Sequence, residues 1–153
     1  MNDEEVEKMA YCTLSDLQKK MSAVDIIQLT DDEQTGSIVE SIVNSAIEEA
    51  DTLINIYLRQ RYSMPLSPVP DIITKLSVSL TRYNLYSRRP PLAEDMLSEY
   101  KNVIKILEQI RDNKVSIGAE SIDADEKPSA SSKFHCNKTS DSRMFPQSEL
   151  DKF

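Results

Sequence analysis

The chain has 153 residues, a formal charge of -8 and two cysteines, a size that fits one domain with a core of its own. Its pI near 4.7 works against holding DNA or an anionic membrane over a broad surface, because phosphate binding needs a basic footprint. Two cysteines exclude a disulfide framework and favour a reducing compartment, while two glycines and no tryptophan speak against a glycine-cornered barrel or sandwich.

Residues 1–8, MNDEEVEK, are mostly charged and read as a flexible acidic lead-in, opposite in pattern to a signal peptide. No apolar run approaches the ~20 residues of a membrane span. Thr13-Leu14-Ser15-Asp16 has capping-box form and predicts a short helix to about Met21. Ser22 to Asp25 repeats the device, and Val24, Ile26, Ile27 and Leu29 predict a second short helix. Residues 30–36 carry no apolar side chain and read as a surface loop. Ser37 and Glu40 offer a further capping box. Beyond it Val39, Ile42, Val43, Ala46, Ile47, Ala50, Leu53, Ile54 and Tyr57 recur at gaps of three and four, which predicts a long amphipathic helix to about Tyr62. At about 36 Å it would exceed what a small domain needs to close its core, leaving length for a partner.

Pro65, Pro68 and Pro70 remove backbone donors and set a structural turn. Asp71 is predicted to cap the next helix, with Ile72, Ile73, Leu76, Leu80, Tyr83 and Leu85 inward, until Pro90-Pro91 stops it. A further helix runs from about Leu92 to Asp112, with Met96, Leu97, Tyr100, Val103, Ile104, Leu107 and Ile110 on one side and Asn113 as a left-handed cap. The predicted fold is all-α: a small bundle of one long amphipathic helix, two further long helices and two short N-terminal ones over residues 9–118. Residues 119–153 form an extended C-terminal tail, rich in serine and read as a mobile linker. Its end differs, since Phe145, Leu150 and Phe153 are costly to leave in water and suit a docking segment.

Little in this chain carries reaction chemistry. Asp31, Glu33, Thr35 and Gly36 have the alternation of a calcium loop, yet Ile42 stands at the twelfth position, where a bidentate Glu belongs. His135-Cys136 lacks the second pair of a closed zinc site. There is one histidine, no Gly-rich phosphate loop and no G-x-S-x-G. Glu48-Glu49 and Glu94-Asp95 occupy adjacent helical positions that do not face each other. The residues therefore point to no enzyme, metal or cofactor. Arg59, Arg61, Arg82, Arg88 and Arg89 gather near predicted helix ends, where cations complement the helix dipole. Local ion pairing is one reading. The other is contact with acidic residues of a neighbouring copy, for which Arg88 and Arg89 are best placed. Tyr57, Tyr62, Tyr83, Tyr86 and Tyr100 fall mostly at helical spacing and read as core and core edge.

Several segments together carry a family resemblance. They are Met9-Ala10-Tyr11 with Leu14 and Asp16-Leu17; Gln28-Leu29-Thr30-Asp31; Tyr57-Leu58 with Arg61-Tyr62-x-Met64-Pro65-Leu66-x-Pro68-Val69-Pro70; and Arg82-Tyr83-x-Leu85-Tyr86-x-Arg88-Arg89. With Arg143-x-Phe145, Leu150 and Phe153 in the tail, this pattern resembles the phage Mu-type neck protein family from residue 9 to the C-terminus. Its most specific part is the Arg61 to Pro70 segment. Residues 1–8 precede the resemblance, which leaves Met9 as an alternative start. Asn113 stands where Gly is expected, and the loop from Asp31 to Gly36 is less acidic than the family's commoner form.

The resemblance implies an all-helical head-to-tail connector, or head-completion adaptor. Such proteins dock as a ring below the portal and meet the neighbouring neck or tail proteins. The implied partners are the portal protein, those neighbours and further copies of the chain, with a monomer possible when free. DNA passes through the channel without sequence-specific binding, and no membrane is involved. The implied locations are the host cytoplasm during assembly and then the virion neck. Arg82, Arg88 and Arg89 are the candidates for subunit or portal pairing, and Phe145, Leu150 and Phe153 for docking. The alternative, a small helical regulatory or DNA-binding module of a prophage, needs a basic recognition helix, and no helix here is basic along one face.

Overall fold

Side-chain chemistry at Thr13 starts the fold. In the computed structural model, which describes residues 10–122, the Asp16 N–H donates to the Thr13 hydroxyl and the Thr13 N–H donates to the Asp16 carboxylate. This reciprocal capping box opens helix α1, Leu14–Gln18. The Ser22 hydroxyl accepts from the Asp25 N–H at 3.1 Å and opens α2, Ala23–Thr30. Both helices start where the local sequence predicts, because each cap needs only groups three residues apart.

The box expected at Ser37 and Glu40 does not form. Helix α3 spans Glu40–Leu58, with Val39 at its N-cap and no side-chain cap. A long-range bond intervenes: the Val39 N–H donates to Thr30 Oγ1 at 3.3 Å, while the Thr30 hydroxyl donates to the Ile26 carbonyl at 2.8 Å. Thr30 is fully buried and holds Val39 extended, so the helix begins later than Ser37 would start it. At its other end the N–H groups of Arg61 and Tyr62 both fold back to the Leu58 carbonyl. The 19 residues of α3 therefore make about 28 Å rather than the expected 36 Å.

Helix α4 spans Asp71–Ser87 with Pro70, not Asp71, at its N-cap. Proline has no N–H to leave unpaired there, and Asp71 becomes the first helical residue, favourably placed for the dipole. The inward face carries Ile73, Leu76, Leu80 and Leu85 as expected, but also Ser77 and Thr81, while Ile72 is 37% exposed. Helix α5 spans Glu94–Arg111. Met96, Val103, Leu107 and Ile110 are buried, Tyr100 stacks on Tyr83 with ring centroids 4.2 Å apart, and Leu97 stays 38% exposed.

Helices α3, α4 and α5 enclose one apolar cluster around Ile54, Leu58, Ile73, Leu80 and Leu107. The short helices close a second one, in which Leu17, Met21, Ile26 and Leu29 meet Val43, Ile47, Val78 and Leu85. Between α3 and α4, Pro65 and Pro68 follow cis peptide bonds and are exposed, while Leu66 between them is buried. The turn thus drives one apolar side chain into the core while keeping Pro65 and Pro68 in solvent, with Pro70 half-buried.

Asn113 adopts the left-handed conformation, φ 62°, and the N–H groups of Lys114 and Val115 return to the Gln109 carbonyl. This is the predicted helix stop. Asn113→Ala should cost about 1 kcal/mol in urea unfolding, because alanine lacks the short polar side chain by which asparagine tolerates positive φ, whereas Asn113→Gly, with no β-carbon, should match or exceed the parent. The chain then buries Ile117 and returns to the α3 exit, where Ser121 forms an isolated antiparallel bridge with Tyr62 and the Ile122 N–H donates to the Arg61 carbonyl at 2.8 Å. Among the described residues this bridge is the whole of the extended pairing, and no helix is long and apolar enough to cross a membrane.

Candidate assembly surface

The C-terminal end of α4 presents two consecutive arginines. Arg88 donates to the Leu29 carbonyl at 2.5 Å and to one oxygen of Asp32 at 2.6 Å. Arg89 donates to the other Asp32 oxygen at 2.9 Å. One carboxylate thus serves two guanidinium groups, and all three side chains remain accessible, Asp32 at 53% and Arg89 at 46%. Pairs this exposed contribute at most about 1 kcal/mol each, so their role in stability is small. Beside them lies a groove of about 560 Å³ lined by Ile27, Gln28, Asp31, Asp32, Gln34, Gly36 and Arg89.

Arg82, the third candidate, points elsewhere. It donates to Glu99 of α5 at 3.0 Å, and the Ser79 hydroxyl donates to the same carboxylate at 2.8 Å. The structure therefore joins Arg88 and Arg89 in one cluster and places Arg82 in a clasp between α4 and α5. Phe145, Leu150 and Phe153 lie outside the described residues, as do His135 and Cys136.

The α2–α3 loop owes its shape to Asp31. Its carboxylate accepts from the Thr35 N–H at 2.9 Å, the Gly36 N–H at 2.6 Å and the Thr35 hydroxyl at 3.2 Å. The oxygens that a calcium-like spacing would turn toward a cation are thus engaged by the loop's own donors. The Thr35 N–H chiefly, helped by Gly36, holds the Asp31 carboxyl below the ordinary carboxylate range. Gly36 takes φ +77° there, a conformation glycine adopts without steric penalty.

A second polar group sits deep between α3 and α4. Asp51, 5% exposed, accepts from the Tyr11 N–H at 3.0 Å and from the Ser77 hydroxyl at 2.8 Å. Cys12 Sγ lies 3.2 Å from Ser77 Oγ and 3.7 Å from Thr81 Oγ1, and the Tyr11 hydroxyl donates to Asn55 at 2.5 Å. These contacts pin the segment ahead of α1 across both long helices. Burial above all pushes the Cys12 thiol upward, with Asp51 adding to the effect, so the sulfur stays protonated and a poor nucleophile.

A thiol whose folded pKa is raised contributes stability that is fully present below its unfolded value, roughly 8.5, and is lost as pH rises through the folded value. Thermal melts should therefore show stability falling above roughly pH 8.5, and Cys12→Ala should flatten that limb.

The alternation rules for amphipathic helices do not mark this group, although one signal was present. Asp51 lies four residues after Ile47 and three before Ile54, on the apolar stripe, where a carboxylate is buried only with partners. Arg61 has a role that local helix rules do not mark either. It donates to the Ile110 carbonyl at 2.8 Å and lies 5.2 Å from the Tyr62 ring, tying the α3 exit to the end of α5.

Comparison with known proteins adds the lineage. A family model described as "Bacteriophage Mu, Gp36" matches residues 11–136, starting at the first buried residue of the described fold. The chain is similar to gene product J of Escherichia phage Mu, with 27% identity over 114 residues, 74% of this chain and 79% of that protein. It is also similar to the Mu-like prophage FluMu protein gp36 of Haemophilus influenzae. There the identity is 30% over 82 residues, 54% of this chain and 57% of its relative.

Proposed function

Because the chain belongs to the bacteriophage Mu Gp36 family, we propose that it is a structural protein of the virion: a head-to-tail connector that assembles as a ring below the portal and links capsid to tail. It acts through protein contacts rather than through a reaction. The observation that carries this reading beyond the lineage is the sharing of Asp32 by Arg88 and Arg89. Two guanidinium groups on one exposed carboxylate keep a net positive charge and spare donors on an otherwise acidic molecule. Guanidinium forks suit acidic side chains of a partner protein.

In this reading Arg88 and Arg89 meet the portal or a neighbouring copy, and Arg82 supports them from the α4–α5 clasp. Phe145, Leu150 and Phe153 dock the tail of the chain into an adjoining component. The protein gathers on the portal in the host cytoplasm and ends in the virion neck. The net charge of -8 keeps passing DNA from adhering to the channel.

Co-expression with the portal protein of the same prophage, followed by size exclusion with mass determination and imaging, tests the reading. The expected product is a portal ring carrying an added ring of this chain. Arg88→Glu with Arg89→Glu should lower its occupancy at least about tenfold while leaving the melting temperature close to that of the parent. If the portal forms its ring and this folded chain elutes apart from it at every salt and concentration, direct portal docking is wrong.

A further inference from the structure

A groove of about 330 Å³ opens between the segment leading into α1 and the side of α3, with Ala10, Cys12 and Leu14 on one wall and Ile47, Glu48 and Asp51 on the other. Leu14 and Ile47 give it an apolar stretch, and Glu48, which is exposed, gives it an acidic edge. Cys12 and Asp51 are buried and belong to the polar group between α3 and α4, so whatever covers this opening also screens that group from solvent. The chain enters here. Ala10 is the first described residue and part of the wall, which keeps Met9 within about 4 Å of it and Lys8 within about 7 Å.

We infer that residues 8 and 9 of the same chain seal this groove, with Met9 laid over Leu14 and Ile47 and the Lys8 ammonium set on the Glu48 carboxylate. Both lie outside the described residues, and covalent connection is what commits them to this site. A segment tethered one and two residues from the groove wall meets it at high effective concentration and gives up no freedom of association. A segment of another molecule would have to displace it. The unbranched methionine side chain suits a gap of irregular shape, and the flexible lysine stem lets the charge reach the rim.

Charge sets where the covering segment ends. Lys8 is the one base among residues 1–9, which otherwise carry Asp3, Glu4, Glu5 and Glu7. Glu48 and Asp51 on the α3 wall repel those four acids and admit the base, so the seal stops at Lys8 and the acidic run stays off this face. Covering the groove keeps water and thiol reagents away from Cys12, whose sulfur therefore reports whether the cover is in place. The seal concerns the chain by itself and does not depend on the connector reading.

The test uses the full chain carrying Cys136→Ser, so that Cys12 is its one thiol. Isotope-labelled and unlabelled preparations are mixed and treated with a zero-length carbodiimide, and the products are mapped by mass spectrometry. The expected product is an amide between Lys8 and Glu48 within one chain, in preference to Lys8 and Glu49, which projects about 100° away on α3. Iodoacetamide labelling of Cys12 is the second readout. Met9→Ser should raise its rate at least about tenfold and Lys8→Glu about threefold or more. Lys8→Glu combined with Glu48→Lys should return to within about twofold of the parent, and Glu49→Lys should change nothing. The raised rates should be almost independent of low urea, because uncovering the groove exposes little surface.

Amides that join only labelled to unlabelled chains would place a second copy in the groove and overturn the in-chain seal. Lys8 amides spread over many carboxylates, with Cys12 labelling the same in every variant, would leave residues 8 and 9 off the fold and overturn it too. Rates that climb with urea along the unfolding slope would report global unfolding, again against the seal. Portal assembly enters none of these outcomes, so the seal and the connector reading stand or fall separately.

Discussion

Asp51→Ala should destabilise the bundle by about 2–4 kcal/mol. The substitution leaves the Tyr11 N–H and the Ser77 hydroxyl, which donate to the carboxylate at 3.0 Å and 2.8 Å, buried without that acceptor. Water cannot replace it cheaply in a site where the residue is 5% exposed. The effect is expected to spread along the chain, because the Tyr11 bond anchors the segment leading into α1. Urea unfolding measures the size of the loss, and amide exchange locates it: protection in α1 and α2 should fall more than in α5. Asp51→Asn, which keeps one acceptor oxygen, should lie between parent and Ala. An unchanged midpoint for Asp51→Ala would mean that the carboxylate is dispensable and that apolar packing of Tyr11 alone holds this segment.

Leu107→Ala should cost about 3–5 kcal/mol. Leu107 is fully buried in the cluster that α3, α4 and α5 share with Ile54, Leu58 and Leu80. A bundle closed by three helices has little room to collapse around the lost atoms, so the cavity term adds to the transfer term. Calorimetry or urea titration gives the number, and Leu107→Met should lose less than about 1.5 kcal/mol because volume is retained. The same measurement on Leu97→Ala, on the exposed side of α5, should show little change. That contrast separates a residue that closes the core from one left largely in solvent. A loss at position 107 no larger than at 97 would mean that α5 is not integral to the core.

These two effects bear on assembly as well as stability. The connector reading requires a rigid unit that presents Arg88 and Arg89 at fixed positions. The interior supplies that rigidity, so a variant that loosens it should impair assembly without touching a contact residue. The surface variants should do the reverse, with unchanged melting and lost assembly.

The sequence by itself determined the helices and most of their ends. Thr13, Ser22 and Asn113 act on groups a few residues away, and the three- and four-residue recurrence of Val43, Ala46, Ile47, Ala50 and Ile54 requires no knowledge of what covers that stripe. The all-α class and the membership signalled by the Arg61 to Pro70 segment were legible for the same reason, since both lie in contiguous residues. Only the tertiary structure decided where α3 begins, because Thr30 captures the Val39 N–H across a nine-residue separation and overrides the local Ser37 cap. Only it showed that Tyr11, Cys12, Asp51 and Ser77 form one buried group, that Arg61 secures the end of α5, and that Asp32 gathers Arg88 and Arg89. Each of these depends on chain segments distant in sequence, up to 65 residues apart for Cys12 and Ser77. A polar side chain's partner is chosen by packing, which brings remote groups within 3 Å or so, whereas a helix and its caps are chosen by neighbours already joined to it.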